Sequence, residues 1–287
     1  MNAKIDKLLK YGTCYADDNI ALPPVGYPVD FIDNGYLTKN SYWQAPDLED
    51  CVRRDSAPIP DEKNREGYCP GHHLGYWLSG YADYQKTLQL IGKYGVGSGR
   101  YFDFGGSTGR VFRHFAFQSG QWDIWSSDFK LSSIDWNLLH FPTTIKVFAN
   151  NSNPSLPLPD QYFDLITGYS VFTHINEPET HWLAELRRVL KVGGIAYLTI
   201  HDEATWADQS PSLRSTISKF RPDVADRHDM PAGKTVVTFR TDDPYNCNVF
   251  HSRDYLNRVW GRFFEIAEIR SSWVGKQAAV VCRKILA

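Results

Sequence analysis

The stretch that most limits what this chain can become is Arg100 to Arg110, Arg-Tyr-Phe-Asp-Phe-Gly-Gly-Ser-Thr-Gly-Arg. Tyr101 to Phe104 is the short apolar and aromatic run that a buried parallel strand requires. Glycines follow, then Val111, Phe112, Phe115 and Ala116 at helical spacing. The order is strand, glycine turn, helix. Such a turn lets the backbone pass close to a ligand, and the helix start offers free N–H groups to an anionic one. The dinucleotide fingerprint G-x-G-x-x-G fails in both registers. Its later positions hold Ser107 and Arg110 counted from Gly105, and Thr108 and Val111 counted from Gly106. The P-loop pattern fails too, for want of Gly-Lys-Ser/Thr. What remains is an acid two residues before the first glycine, Asp103-x-Gly105, with Gly109 four residues on.

Strands and helices alternate around this stretch. Tyr81, Tyr84, Leu88 and Ile91 predict a helix over 78–94, stopped by glycines before the first strand. Trp122 to Ser127 reads as strand two, closed by Asp128. Ser132 or Ser133 is expected to cap a helix whose apolar face is Ile134, Trp136, Leu138 and Leu139. Ile145–Ala149 and Phe163–Gly168 read as strands three and four. Pro178 suits the first turn of a helix burying Trp182, Leu183, Leu186, Val189 and Leu190, ended by Lys191 and Gly193-Gly194. Ile195–Ile200 is strand five. The alternation implies a parallel sheet with helices on both faces and ligands at the carboxyl ends of the strands.

Residues 1–77 are Pro-punctuated and aromatic, and read as a cap or lid on a domain over 78–287. Residues 202–250 read as a substrate-side insertion. Strands are expected near Val236–Phe239 and Val249–His251, then a helix over Ser252–Arg262. Phe264–Ile269 and Ala278–Lys284 should pair antiparallel.

Composition narrows the partners. A formal net charge of −2 gives no basic surplus that would point to nucleic acid. Aromatics make up 14% of the chain, which suits either a bulky core or stacking surfaces for sugars and flat rings. The five cysteines, at 14, 51, 69, 247 and 282, form no C-x-x-C pair and leave one over, as in a reduced intracellular protein. Cys69 stands near His72 and His73, but no second pair at zinc spacing accompanies them, so no metal is expected. No apolar leader and no stretch of membrane-span length is present in the sequence. A cytoplasmic location is the expectation.

The pattern Asp103-x-Gly105 with Gly109 resembles motif I of the class I S-adenosylmethionine (SAM) methyltransferases. Further on, Leu156-Pro-Leu-Pro-Asp160-x-x-Phe-Asp164, Tyr169-Ser-Val-Phe-Thr-His174-Ile and Trp182-Leu-x-Glu-Leu-Arg-Arg-Val-Leu-Lys-x-Gly-Gly194 are similar to a group of these enzymes associated with glycan and natural-product biosynthesis. The likeness runs over roughly 80–200. Val192 stands where proline is usual, and an Asn-rich loop replaces the acid common before Leu-Pro.

The resemblance implies an α/β, Rossmann-like sheet of seven strands with the last antiparallel, and SAM as cofactor. It implies that the loop of Asp103, Gly105, Gly106, Ser107, Gly109 and Arg110 wraps the methionine end of SAM. Asp128, 25 residues after Asp103, would take the ribose diol, with Phe129 near the adenine. Asn150 or Asn151 would face the adenine amide, and Tyr169 and Ser170 complete the implied set.

The acceptor is expected to be a small molecule or glycan, most simply a hydroxyl. Candidate bases follow strands four and five: His174, and His201 with Asp202 as its orienter. His201 is the first choice. Nitrogen and carboxylate acceptors, which need no base, stay open, as does a catalytically silent SAM-fold binding protein. An amino-methyltransferase of nucleic acid would carry Asn/Asp-Pro-Pro-Tyr where Gly168-Tyr-Ser-Val stands.

Overall fold

The computed structural model describes residues 48–71, 73–239 and 245–286. The readings made for residues 1–47 and for His72 lie outside them. The elements are α1 (Leu48–Arg54), α2 (His73–Gly92), β1 (Gly99–Phe104), α3 (Phe112–Gln118), β2 (Trp122–Asp128), α4 (Leu131–His140), β3 (Lys146–Ala149) and β4 (Phe163–Gly168). They continue with α5 (Glu179–Val189), β5 (Leu190–Ile200), α6 (Glu203–Ala207), α7 (Pro211–Phe220), α8 (Pro222–Ala225), β6 (Lys234–Thr238) and β7 (Cys247–His251). The last are α9 (Arg253–Val259), β8 (Glu265–Val274) and β9 (Gln277–Arg283).

The main sheet has seven strands in the order β3-β2-β1-β4-β5-β9-β8, and β6 and β7 form a separate antiparallel pair. The pairs β1–β4, β2–β3 and β4–β5 are parallel, while β9 runs antiparallel to both β5 and β8. This is the expected α/β sheet with its last strand reversed. By contacts, the chain divides into two compact units, Met1–Gln89 with Gly106–Ala149 and Leu90–Gly105 with Asn150–Ala287.

In the first unit the Pro-rich segment 57–60 forms neither helix nor strand, yet it is buried. A buried loop must find partners for its backbone carbonyls. Arg113 supplies them, donating from Nη2 to the carbonyls of Ala57 (2.8 Å) and Pro58 (3.0 Å). Arg65 Nε donates to the Pro60 carbonyl at 2.8 Å. The Arg113 charge is met by Asp55, at 2.6 Å from Nε and 3.1 Å from Nη2, and both side chains are fully buried. Trp77 Nε1 adds a 2.7 Å bond to the same carboxylate.

Helix α4 differs from the expectation at its start and on its buried face. No serine side chain caps it. Instead the Asp128 carboxylate takes the Lys130 N–H at 2.8 Å. Ile134 and Trp136 are buried as expected, but Leu138 and Leu139 are 61% and 76% exposed. The buried face has turned because Asn137 points inward and donates from Nδ2 to the Ser107 carbonyl at 2.6 Å.

In the second unit α5 ends at Val189, and Leu190 already belongs to β5. Lys191 and the two glycines therefore sit inside the strand, not at the helix end. Lys191 Nζ binds both oxygens of Asp164 at 2.7 Å, and Gly193 adopts a φ of +83°. The segment expected as an insertion builds a small core of its own from Trp206, Ile217, Val224, Val237 and Phe250. Much of the aromatic content is spent on packing, since Trp77, Trp182, Trp260, Tyr101, Tyr197 and Phe102 are fully buried.

Candidate active site

In the first unit the glycine turn is tied to the end of β2. The Gly106 N–H donates to the Ser127 carbonyl at 3.0 Å, and the Ser107 N–H to Asp128 Oδ2 at 2.9 Å. The buried Asp128 thus holds one backbone N–H on each oxygen, leaving further lone pairs on both. Burial pushes its carboxyl pKa up, and the bonds from Lys130 and Ser107 pull it back. Ser107 adopts a φ of +46°, and its buried hydroxyl has no partner among the described residues. Gly109 has a φ of +78°, and a Cβ there would lie 2.6 Å from Phe141 Cζ. Arg110 points to Asp83, at 2.7 Å, and lies over the Tyr68 ring. Phe129 is exposed.

The second unit holds the other residues expected from the sequence. Asp103 is buried at the end of β1 and accepts from Thr167 Oγ1 at 2.7 Å. Gly105 has a φ of +72°, and a Cβ on it would meet Val171 Cγ2 at 2.5 Å. Asn150 donates to the Asn151 carbonyl at 2.9 Å, while its buried Oδ1 has no partner among the described residues. Asn151 is exposed. Tyr169 packs on Tyr197, and Ser170, at a φ of +58°, donates its N–H to Thr199 Oγ1 at 2.7 Å.

His174 is exposed, and its Nδ1 lies 2.7 Å from the Cys247 carbonyl. His201 packs its ring on Phe250 with centroids 5.1 Å apart. Burial, with His174 and His251 nearby, lowers its pKa to about 3. Asp202 does not orient it. That carboxylate caps α6 through the Thr205 N–H at 3.0 Å and accepts from Ser271 on its other oxygen.

A family profile described as "Methyltransferase domain" matches residues 102–198, the span from β1 to β5. Residues 102–198 thus match a methyltransferase domain. Among solved structures, a SAM-dependent methyltransferase from Methanosarcina mazei matches at 17% identity and a TM-score of 0.50, over 69% of this chain and 98% of that one. A protein from Pyrococcus horikoshii OT3 matches at 17% identity and a TM-score of 0.50, over 71% of this chain and 91% of that one. Identities this low speak for the fold alone.

The second unit also holds a buried hub that the sequence did not reveal. Glu179, at the start of α5, accepts on Oε1 from His251 Nε2 (2.8 Å) and Trp260 Nε1 (2.6 Å). Its Oε2 accepts from Lys234 Nζ (2.9 Å) and Tyr255 OH (2.8 Å). These partners are 55 to 81 residues away, so no local pattern marks them. Lys234 Nζ also donates to the Asn176 carbonyl at 2.9 Å, which ties the hub to the loop carrying His174.

The hub should show itself in the acid stability of the protein. Burial pushes the Glu179 pKa up, but His251 and Lys234 outweigh it and bring it down to about 2 from an ordinary 4.5. A depressed carboxyl contributes stability that is present above the unfolded pKa and is lost as pH falls through the folded one. Its contribution, on the order of 3 kcal/mol, is therefore expected to vanish between about pH 4.5 and pH 2. Urea midpoints across that window should fall more steeply for the wild type than for Glu179→Gln.

Proposed function

We propose that this chain transfers the methyl group of SAM to a hydroxyl of a small-molecule or glycan acceptor. The observation that carries cofactor binding is the Ser107–Asp128 tie, which joins the glycine turn to the acid closing β2. The buried Ser107 hydroxyl and the buried Asn150 Oδ1, each without a partner among the described residues, fit polar ligand atoms, because buried polar atoms ordinarily have partners. Asp128 would hold the ribose hydroxyls, the backbone at Gly105 and Gly106 would admit the methionine end, and Asp103 would favour its ammonium. When bound, SAM supplies a methyl already activated on a sulfonium. The protein's part is to hold the acceptor in line and, for a hydroxyl, to take its proton. His174, in the loop after β4, supports the hydroxyl reading, because a hydroxyl must give up its proton whereas a carboxylate has none to lose.

Calorimetric titration with SAM tests the cofactor half of this reading. Asp128→Ala is expected to weaken binding by ~1.5–3 kcal/mol per charge-assisted bond lost, roughly 10- to 150-fold. Equal affinity in a folded variant would remove Asp128 from the site. An acceptor screen that reads S-adenosylhomocysteine release tests the other half. Turnover confined to amines or carboxylates would overturn the hydroxyl assignment.

A further inference from the structure

The two histidines are not equivalent, and the strand β7 separates their roles. It ties down both loops through its backbone. The Val249 N–H donates to the Thr173 carbonyl at 2.8 Å, and the His251 N–H to the His201 carbonyl at 2.8 Å. Beyond these main-chain ties, the Cys247 carbonyl lies 2.7 Å from His174 Nδ1. A carbonyl oxygen only accepts, so Nδ1 must carry the hydrogen. In a neutral imidazole the lone pair is then on Nε2. The loop that holds this ring is fixed on both sides. Thr173 Oγ1 donates to the Ser170 carbonyl at 2.8 Å, and Lys234 holds Asn176 at 2.9 Å.

We propose that His174 is the general base of the methyl transfer, its Nε2 made the basic nitrogen by the Cys247 carbonyl. This rests on the methyl-transfer reading above. Nε2 takes the acceptor's hydroxyl proton, and the freed oxygen pair forms the new C–O bond to the methyl carbon. The C–S pair stays on sulfur, so one positive charge moves from the sulfonium to the imidazole. The Nδ1–H bond strengthens as the ring becomes charged, and the exposed ring releases its proton to water. His201 is unsuited to this work. Its ring is packed on Phe250 and has no help from Asp202, and burial lowers its basicity, as it also does to some extent for His174. The buried Nδ1 of His201 has no partner among the described residues.

The first tests need no acceptor. In long-range nitrogen–proton spectra of the 15N-histidine protein near neutral pH, His174 is expected as the Nδ1–H tautomer. The Nε2–H tautomer would overturn the proposal. Diethylpyrocarbonate should modify His174, mapped by mass spectrometry, and saturating SAM should slow that modification about tenfold or more. If SAM binds by calorimetry and His174 reacts unchanged, His174 is not at the reacting centre and the proposal fails while the cofactor reading survives. If SAM does not bind at all, the methyl-transfer reading falls and this inference falls with it. With hydroxyl acceptors the wild type methylates, His174→Ala should lose about 10²–10⁴-fold in turnover with SAM affinity kept. Added imidazole should restore part of that turnover. Loss without rescue, with His174→Gln as active as wild type, would make the residue a structural one.

Discussion

Replacing Gly105 by valine is expected to abolish SAM binding while leaving the circular dichroism close to native. Two effects act together. At a φ of +72° the residue lies in the left-handed region, where a side chain costs roughly 1–2 kcal/mol. A Cβ would also lie 2.5 Å from Val171 Cγ2, so either the turn or the loop after β4 must move. Val171 is only half-buried and on a loop, so the disturbance stays local and the sheet survives. Gly105→Ala should show the same direction with a smaller loss. Tight SAM binding by the valine variant would mean that the turn does not approach the cofactor.

Asp55→Ala should be the most damaging single change to stability, at about 3–5 kcal/mol, because it strands a buried guanidinium. Arg113 is fully buried and takes both Asp55 oxygens, and Trp77 loses the same partner. Urea unfolding should show a large drop in midpoint at an unchanged slope. Adding Arg113→Met to Asp55→Ala is expected to recover part of the loss, since the stranded charge is then gone. A single variant within about 0.5 kcal/mol of wild type would show that water reaches the guanidinium.

The parts of the fold governed by local pattern were legible in the sequence. Phe163–Gly168 is β4 to the residue, and the strand–turn–helix around Gly105 is where the apolar run placed it. What could not be read depends on partners distant in the chain. Hydrophobic spacing put Leu138 and Leu139 inside, but a hydrogen bond from Asn137 to Ser107, 30 residues back, turns the helix another way. Adjacency suggested that Asp202 orients His201, yet its nearest donors are Thr205 and the distant Ser271. Arg110 sits inside the glycine motif and points instead to Asp83. Glu179 looked like an ordinary acid at a helix start, where the dipole favours one. Its four donors come from β6, β7, α9 and Trp260.

The strand β7 grips the loops of both histidines through main-chain atoms, at Cys247, Val249 and His251. Main-chain groups are the same whatever residue bears them. Hairpin side chains other than Lys234 and His251, which hold Asn176 and Glu179, can therefore be exchanged by drift or by an engineer without removing these main-chain ties.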